Sequence, residues 1–234
     1  RLRAPEGEGR VVVRAGVADA VLPVAVRQIA ARVARVEGEF QHLHAGQTRV
    51  GKQLRDLRRG IAEILGDRYE IVSMAEAGFH EDVEETGTTF YENALLKASA
   101  VSEALGCDAL ADDSGLCVDA LDGAPGTYSA RYSGKHGDDK ANRRALLEKL
   151  DGITDRSAKF RCAVCLYFPD GSYLLTNGET CGSILEEERG NNGFGYDCLF
   201  FSRDLNKPFG EASDAEKNSV SHRYRALCDL LRKL

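Results

Sequence analysis

A helix with strong signals at both ends, followed at once by an apolar strand, does most to limit how this chain can fold. Thr89 followed three residues later by Glu92 predicts a capping box, and Gly106 predicts the helix end. Between them an apolar stripe recurs at helical spacing: Phe90, Ala94, Ala98, Val101, Leu105. The next segment, CDALADDSGLCVDAL, predicts a short buried strand that breaks at Asp112 and Asp113. A helix leading into a buried strand favours an α/β fold.

Further strands and helices surround this unit. YEIVSM predicts a short strand, and KFRCAVCLYFPDGSYLLTNGETCGSIL predicts a strand, a turn at PDG, a second strand, and a third strand after Asn177 and Gly178. Ser213 and Glu216 form a second capping box ahead of a C-terminal helix. The inward face of that helix is predicted to carry Tyr224, Leu227, Leu231 and Leu234. Because hairpins and helix-linked strands occur together, we expect a mixed sheet.

Composition excludes several classes of protein. The 234 residues, 43% of them hydrophobic, suffice for one sizeable domain and are few for two. A formal net charge of −6 argues against a duplex nucleic-acid binder, and no apolar run approaches the roughly 20 residues of a membrane span. The 7 cysteines lack paired metal-ligand spacing, which favours free thiols in a reducing compartment. We therefore expect a cytoplasmic protein without a membrane or nucleic-acid partner.

The charge divides the chain unevenly. The first 59 residues carry 12 basic and 6 acidic side chains, and the APEGEG opening resembles a linker. We interpret residues 1–45 as a basic N-terminal extension or linker that belongs to a longer polypeptide. Residues 46–234 are then the folded domain.

Acidic side chains gather at predicted loop and strand-end positions. They are Glu84, Glu85, Asp112, Asp113 and Asp119. Clustered carboxylates suit Mg²⁺, which commonly bridges to substrate phosphates, so the pattern indicates a nucleotide site. A single such residue is ordinarily a solvated charge, but two adjacent aspartates after an apolar strand favour a functional role.

Phosphates also need cations and backbone N–H groups. Lys97, Lys217, His222 and Arg223 could supply the charge, and the helix turn opened by Ser221 could supply the N–H groups. The alternative interpretation of the Ser221–Arg223 segment (SHR) is an N-cap followed by exposed basic residues.

A glycine-rich segment, GNNGFGYD, supplies a candidate for recognising a planar base. Gly193 and Gly195 would let the backbone approach the base, and Phe194 or Tyr196 could stack on it. The alternative is an ordinary turn that enters a buried strand.

Four motifs, in this order and spacing, resemble the inosine triphosphate pyrophosphatase family of non-canonical purine NTP pyrophosphatases. They are EETGTTFYENALLKA, ALADDSGLCVDALDGAPGTYSARYSG, GFGYDCLFF and EKNSVSHRYRAL, and the resemblance runs from about residue 52 to the C-terminus. It implies Mg²⁺-dependent hydrolysis of ITP, dITP and XTP to the monophosphate and pyrophosphate. It also implies a homodimer and an α/β fold, an elongated mixed β-sheet flanked by helices with a central cleft between two lobes.

The same resemblance implies a role for each matching residue. Asp113 would be the general base and a metal ligand, with Glu84 as a second metal ligand. The substrate would be bound by Lys52, Lys97, Ser114, Phe194, Gly195, Tyr196, Asp197, Lys217, His222 and Arg223. Asp112 and Asp113 together would organise metal and water beside the triphosphate. Backbone N–H groups of GFGYD, with His222 and Arg223, would donate to the purine keto oxygen and so disfavour ATP.

One loop departs from the family pattern and keeps alternatives open. The family has Thr/Ser-x-Asn-x-x-Lys after its first strand, whereas this chain has Arg49 in place of the asparagine and keeps Lys52. RVVVRAG, at residues 10–16, could be a displaced first strand. One alternative function is a catalytically weak nucleotide-binding or regulatory domain of a larger polypeptide. Another is a phosphohydrolase with Asp112 or Asp113 as a covalent nucleophile, although the Asp-x-Asp spacing is missing.

Overall fold

The predicted helix that Thr89 caps and the apolar strand that follows it are both present in the computed structural model. The backbone is described for residues 9–16, 22–27 and 69–234, and the side chains for residues 72–234. The Thr89 side chain accepts from the Glu92 N–H, the Glu92 side chain completes the capping box, and Gly106 ends the helix in the left-handed conformation. These local signals succeed because the groups that satisfy each helix end lie within four residues of it.

The elements are numbered within the described residues. The strands are β1 (Gly9–Gly16), β2 (Leu22–Arg27), β3 (Tyr69–Ser73), β4 (Asp108–Val118), β5 (Ser157–Tyr167), β6 (Tyr173–Ile184), β7 (Phe200–Ser202) and β8 (Lys207–Pro208). The α-helices are α1 (Phe90–Leu105), α2 (Asp139–Lys149), α3 (Asp214–Val220) and α4 (His222–Lys233).

The strands form one mixed sheet. β4 to β8 pair in sequence order and antiparallel, whereas β1 pairs in parallel with both β3 and β4. The predicted α/β fold, a mixed sheet flanked by helices, is confirmed. The RVVVRAG segment lies in β1, and the predicted domain boundary at residue 45 stays a prediction.

Helices cover both faces of the central strands. On one face, α1 packs against β4 and β5 through Ala94, Ala98, Val101, Ala109, Ala111, Ala163 and Cys165. On the other face, α4 packs against β5 and β6, and the apolar core there contains Leu110, Cys162, Val164, Leu166, Ala226, Leu227 and Leu230. Successive residues of a strand point to opposite faces, so neighbours in β4 belong to different cores.

A third apolar cluster fills the far end of the sheet. Its large members include Leu116, Leu146, Leu150, Phe160, Phe200 and Phe209. Leu110 and Leu116 are an even number of residues apart in β4, so both point to the face that α4 covers, but they belong to different apolar clusters. The positions between them on that face, Asp112 and Ser114, are polar and lie between two apolar cores.

The predicted break of β4 at the two aspartates is wrong. The strand continues to Val118, and Asp112 and Asp113 pair with Val164 and Ala163 of β5. Both carboxylates are buried and hydrogen-bonded to side chains from the covering helices, so the strand can carry them without ending.

The predicted turn after Asn177 and Gly178 is also wrong, because β6 runs unbroken through both residues. A Cβ at Gly178 would lie 2.2 Å from the His222 carbonyl oxygen and 2.4 Å from the Ala226 nitrogen. Glycine is therefore required here by the close approach of α4 to the sheet rather than by a turn.

The C-terminal helices begin where the sequence predicts, but the inward face of α4 differs. Ser213 and Glu216 form the second capping box, and Ser221 caps α4. Leu227 is buried and Leu231 packs against the core as predicted, but Tyr224 and Leu234 are exposed, and the other buried positions of α4 are His222, Ala226 and Leu230. Ala226 of α4 and Gly178 of β6 allow the helix to lie close against the sheet. None of the helices in the described ranges has the length and apolar character needed to cross a bilayer.

Candidate active site

Asp113 lies on the α1 face of β4 inside a buried polar cluster. Its Oδ2 atom accepts from the Asn93 side-chain amide at 3.0 Å, and its Oδ1 atom accepts from Lys97 Nζ at 3.2 Å. Lys97 Nζ also donates to Glu85 Oε1 at 2.9 Å, and the Lys97 side chain is fully buried. Asn93 and Lys97 can act together because positions four apart lie on one helix face.

This environment sets the protonation of Asp113. Burial raises the pKa of its carboxyl to about 6, with the Lys97 ammonium opposing the rise and the Glu85 carboxylate adding to it. The carboxylate is therefore mostly ionised at pH 7 and also basic enough to accept a proton, which suits a general base.

Asp112 lies on the opposite, α4 face. Its Oδ2 atom accepts from Arg223 Nε at 3.0 Å and from the Cys162 thiol at 3.5 Å. Arg223 also donates to Ser114 Oγ at 3.2 Å. The expectation that Asp112 and Asp113 jointly organise metal and water is not supported, because strand alternation separates their carboxylates. Asp112 instead anchors a buried arginine.

A cavity on the α4 face collects most of the predicted substrate-binding residues. Predicted residues that line it are Ser114, Phe194, Gly195, Tyr196, Asp197, Lys217 and His222. Leu116, Ser129, Asp139 and Phe160 also contribute to the wall. Asp113 and Lys97 lie on the opposite, α1 face of β4. The predicted site residues therefore form two groups, one on each face of the sheet, and the two groups are adjacent where Ser114 follows Asp113 in β4.

The loop at the cavity is held by hydrogen bonds to Asp197. Its Oδ2 atom accepts from the Phe194 N–H at 2.8 Å and pairs with Lys217 Nζ at 2.5 Å. Lys217 Nζ also lies 4.5 Å from the centre of the Phe194 ring. Gly193 has φ +73°, and a Cβ there would come 2.0 Å from Asp197 Oδ2, so only glycine allows this turn.

The neighbouring helix α2 holds the next peptide groups. Asp139 Oδ2 accepts from the Gly195 N–H at 2.8 Å, and Arg143 Nη1 donates to the Gly195 carbonyl at 3.0 Å. The N–H groups of Phe194 and Gly195 are thus already bonded to carboxylates, contrary to the expectation that they donate to a purine. Sequence reasoning missed Asp139 and Arg143, because an acidic residue in a first helical turn predicts only helix stabilisation.

His222 is a neutral side chain in the cavity wall. It stacks on Phe160 with ring centres 5.1 Å apart and planes inclined by 16°. Burial, together with the positive charges of Arg223 and Lys217, holds the pKa of His222 well below its usual range. Its Nδ1 atom is buried and has no hydrogen-bond partner among the described residues. Tyr196 is likewise buried, and its hydroxyl donates to the Ser129 carbonyl at 2.9 Å, so its ring is part of the core.

The acidic loop before α1 offers oxygen ligands beside Asp113. Glu84 is exposed and Glu85 is half-buried. Within the described part of the chain, no three His, Cys, Asp or Glu side chains are grouped so that they could hold a metal ion by themselves. A set of one or two carboxylates nevertheless fits Mg²⁺, which takes its remaining ligands from water and substrate phosphates. Lys52 and Arg49, and with them the altered loop at residues 47–52, lie outside the described residues.

All seven cysteines are free thiols in the structure. Cys162 and Cys165 belong to the cores on opposite faces of the sheet, as their spacing on a strand predicts. They therefore do not form the start of a zinc site.

Comparison with known proteins connects this geometry to one group of enzymes. The model of the Ham1 family matches residues 50–233. The dITP/XTP pyrophosphatase of Haemophilus influenzae is 51% identical over 179 residues, which cover 74% of this chain and 91% of the relative. The dITP/XTP pyrophosphatase of Bacillus subtilis is 47% identical over 175 residues, 74% of this chain and 88% of the relative.

A solved structure agrees with these sequence matches. The Staphylococcus aureus Ham1 protein superposes with a TM-score of 0.72 at 39% identity, covering 81% of this chain and 95% of that protein.

Proposed function

The chain belongs to the Ham1 family, and from that premise we propose that it hydrolyses non-canonical purine nucleoside triphosphates, namely dITP, XTP and ITP, to the monophosphate and pyrophosphate. It is a nucleoside triphosphate pyrophosphatase, a hydrolase of the anhydride between the α- and β-phosphates. The corresponding cellular role is to remove such nucleotides from the nucleotide pool.

The observation that carries the mechanism is the buried Asp113 carboxylate. Held by Asn93 and Lys97 and with a pKa of about 6, it accepts the proton of a water whose oxygen attacks the α-phosphorus. The bond from that phosphorus to the bridging oxygen breaks, and pyrophosphate leaves with the electron pair. Lys97 keeps Asp113 in position and supplies positive charge beside the reacting phosphate.

We propose Mg²⁺ as the metal, held by Asp113 and Glu84. When bound there with the nucleotide, it would polarise a phosphoryl oxygen and offset the charge of the triphosphate. Glu85 is engaged by Lys97 and has a supporting role.

The cavity on the α4 face is the proposed site for the purine and neighbouring phosphates. Phe194 offers an aromatic face, and neutral His222 offers ring nitrogens that can bond to the base edge. Lys217 and Arg223 are paired with carboxylates, which fix the positions of their N–H groups. They would therefore offer the nucleotide oriented hydrogen-bond donors. Lys52 is proposed as a further phosphate ligand from the family pattern.

A homodimer and a cytoplasmic location are also proposed. Large apolar side chains stay exposed in the structure, including Tyr91, Leu96 and Tyr128, and a second copy could cover them. Free thiols suit a reducing compartment. Light scattering during size-exclusion chromatography tests the dimer, and a monomeric mass at micromolar concentration would contradict it.

The test of the proposed function is pyrophosphate release from ITP, dITP, XTP and ATP, each with Mg²⁺ and with a chelator. We expect Mg²⁺-dependent release from the first three and little from ATP. Nucleotide binding without release would identify a catalytically weak binding domain instead. An acyl-phosphate trapped on Asp112 or Asp113 would indicate covalent catalysis.

A further inference from the structure

We propose that Asp139 and Arg143 form a clamp on Gly195 that enforces discrimination against 6-aminopurines. This inference deepens the proposed function and rests on it. The clamp is defined as the two hydrogen bonds from α2 to the N–H and the carbonyl of Gly195.

Both peptide groups around Gly195 are held by one helix, α2. Asp139 lies in the first turn of α2 and Arg143 lies one turn later, so their side chains emerge on the same face. One accepts from the Gly195 N–H at 2.8 Å and the other donates to its carbonyl at 3.0 Å. Arg143 is in turn held by Glu188, whose Oε1 atom accepts from Nε at 2.7 Å.

The backbone at Gly195 is intrinsically adaptable because the residue is a glycine. Gly195 has φ +56°, and a Cβ built on it would meet no atom within 4 Å. The neighbouring carbonyls of Phe194 and Tyr196 accept from the N–H groups of Asp197 and Leu199 at 3.0 and 2.9 Å, whereas glycine at 195 itself reaches alternative backbone conformations at low cost. The two side chains of α2 fix the N–H and the carbonyl of Gly195 itself.

The clamp lies at the wall of the cavity. Gly195, Tyr196 and Asp139 line it, whereas Arg143 is not among the lining residues that the structure describes. The Gly195 carbonyl is thus directed at a side chain outside the cavity wall. The Gly195 carbonyl and the Tyr196 N–H belong to one trans peptide, in which the N–H and the C=O point in opposite directions. Because the carbonyl points toward Arg143, the Tyr196 N–H points away from Arg143.

The consequence concerns hydrogen-bond polarity at the purine 6-position. Hypoxanthine carries a keto oxygen there, which accepts, whereas adenine carries an amino group, which donates. If the Gly195–Tyr196 peptide were free to turn, its carbonyl could face the cavity and accept from the adenine amino group. By keeping that acceptor bonded to Arg143, the clamp leaves the amino group without a partner, and an unpaired polar group weakens binding.

The experiment compares ITP with ATP, which differ at that position and in the N1 proton that accompanies the keto form, in wild type and in four variants. They are Asp139→Ala, Asp139→Asn, Arg143→Ala and, as a matched control, Arg144→Ala, which changes an exposed arginine next to the clamp on α2. For each protein, kcat and KM are measured for both nucleotides, and thermal melting verifies folding.

We expect Asp139→Ala and Arg143→Ala each to lower the ratio of kcat/KM for ITP to that for ATP by about tenfold, mainly through KM. Asp139→Asn keeps an acceptor for the Gly195 N–H and should retain the ratio within about threefold. Arg144→Ala should match wild type. If either alanine variant does not fold, the other decides the result.

Two results would overturn the clamp. Equal losses for ITP and ATP, with an unchanged ratio, would reduce Asp139 and Arg143 to structural residues. A wild type that releases no pyrophosphate from ITP would instead overturn the proposed function, and the clamp would fall with it. The wild-type arm thus separates the two failures.

Discussion

The two faces of β4 carry the same type of residue in opposite roles. On the α1 face, Asp113 is held by a lysine and an amide, and its pKa is raised to about 6. On the α4 face, Asp112 is bonded to Arg223, which also contacts Ser114 at the cavity. The first arrangement leaves a carboxylate able to take a proton, whereas the second uses a carboxylate to orient a donor.

This difference shows that adjacent carboxylates need not form one site. Strand alternation directs neighbouring side chains to opposite faces, and each helix then supplies the partner that defines the role. We therefore propose that proton transfer belongs to the α1 face and substrate positioning to the α4 face. The following substitutions test that division in order of decreasing expected effect.

The largest effect is expected for Asp113→Asn. The amide keeps the shape of the side chain and one of its two acceptor oxygens but cannot serve as a base, so kcat for ITP should fall at least about 100-fold. Steady-state kinetics measures the loss, and far-UV circular dichroism checks the fold. Near-normal turnover in a folded variant would remove Asp113 from catalysis.

A smaller but large effect is expected for Lys97→Met, with exposed Lys140→Met as the control. Lys97 lowers the pKa of Asp113, so its removal should shift protonation of the base to higher pH. At pH 7 more of the carboxyl is then neutral, and kcat/KM for ITP should fall about tenfold or more. The acid limb of the rate profile should also move upward. An unmoved limb would show that Lys97 does not set the basicity of Asp113.

On the α4 face, Asp112→Asn should act on binding. Arg223 loses a charge-assisted partner, so KM for ITP should rise about tenfold while kcat stays within about threefold. Kinetics over a range of ITP concentrations separates the two parameters. A fall in kcat comparable to that of Asp113→Asn would contradict the division between the faces.

The smallest effect on turnover is expected for Gly178→Ala, which disturbs the packing of α4 against β6. The added methyl group would meet the His222 carbonyl and the Ala226 nitrogen, so stability should fall by at least about 2 kcal/mol. Thermal or urea unfolding measures the change, with exposed Glu179→Ala on the same strand as the control. An unchanged unfolding midpoint would mean that α4 can shift away from β6 without loss of stability.

Local signals in the sequence predicted much of the fold. The capping boxes at Thr89 and Ser213, and the glycine after α1, involve groups only a few residues apart. Interactions between distant segments were harder to foresee. The glycine at 178 resembled a turn, although its role depends on a helix more than 40 residues later.

The candidate site shows the same limit. Motif resemblance identified residues such as Asp113 and His222, and the cavity brings many of the others together. The opposite placement of the two aspartates depends on β4 continuing through them. The hydrogen bonds from α2 to Gly195 span 56 and 52 residues, so no local pattern marks Asp139 or Arg143.

The most direct test of the division between the faces is the pH dependence of kcat/KM for ITP in three proteins: wild type, Asp112→Asn and Asp113→Asn. Below its pKa of about 6 Asp113 is protonated and cannot accept a proton, so the wild-type rate should fall as pH decreases through that value. Titration of the substrate itself contributes equally to all three profiles. We expect Asp112→Asn to keep the enzyme's acid limb and the residual activity of Asp113→Asn to lack it. A limb that disappears in Asp112→Asn and persists in Asp113→Asn would contradict the account.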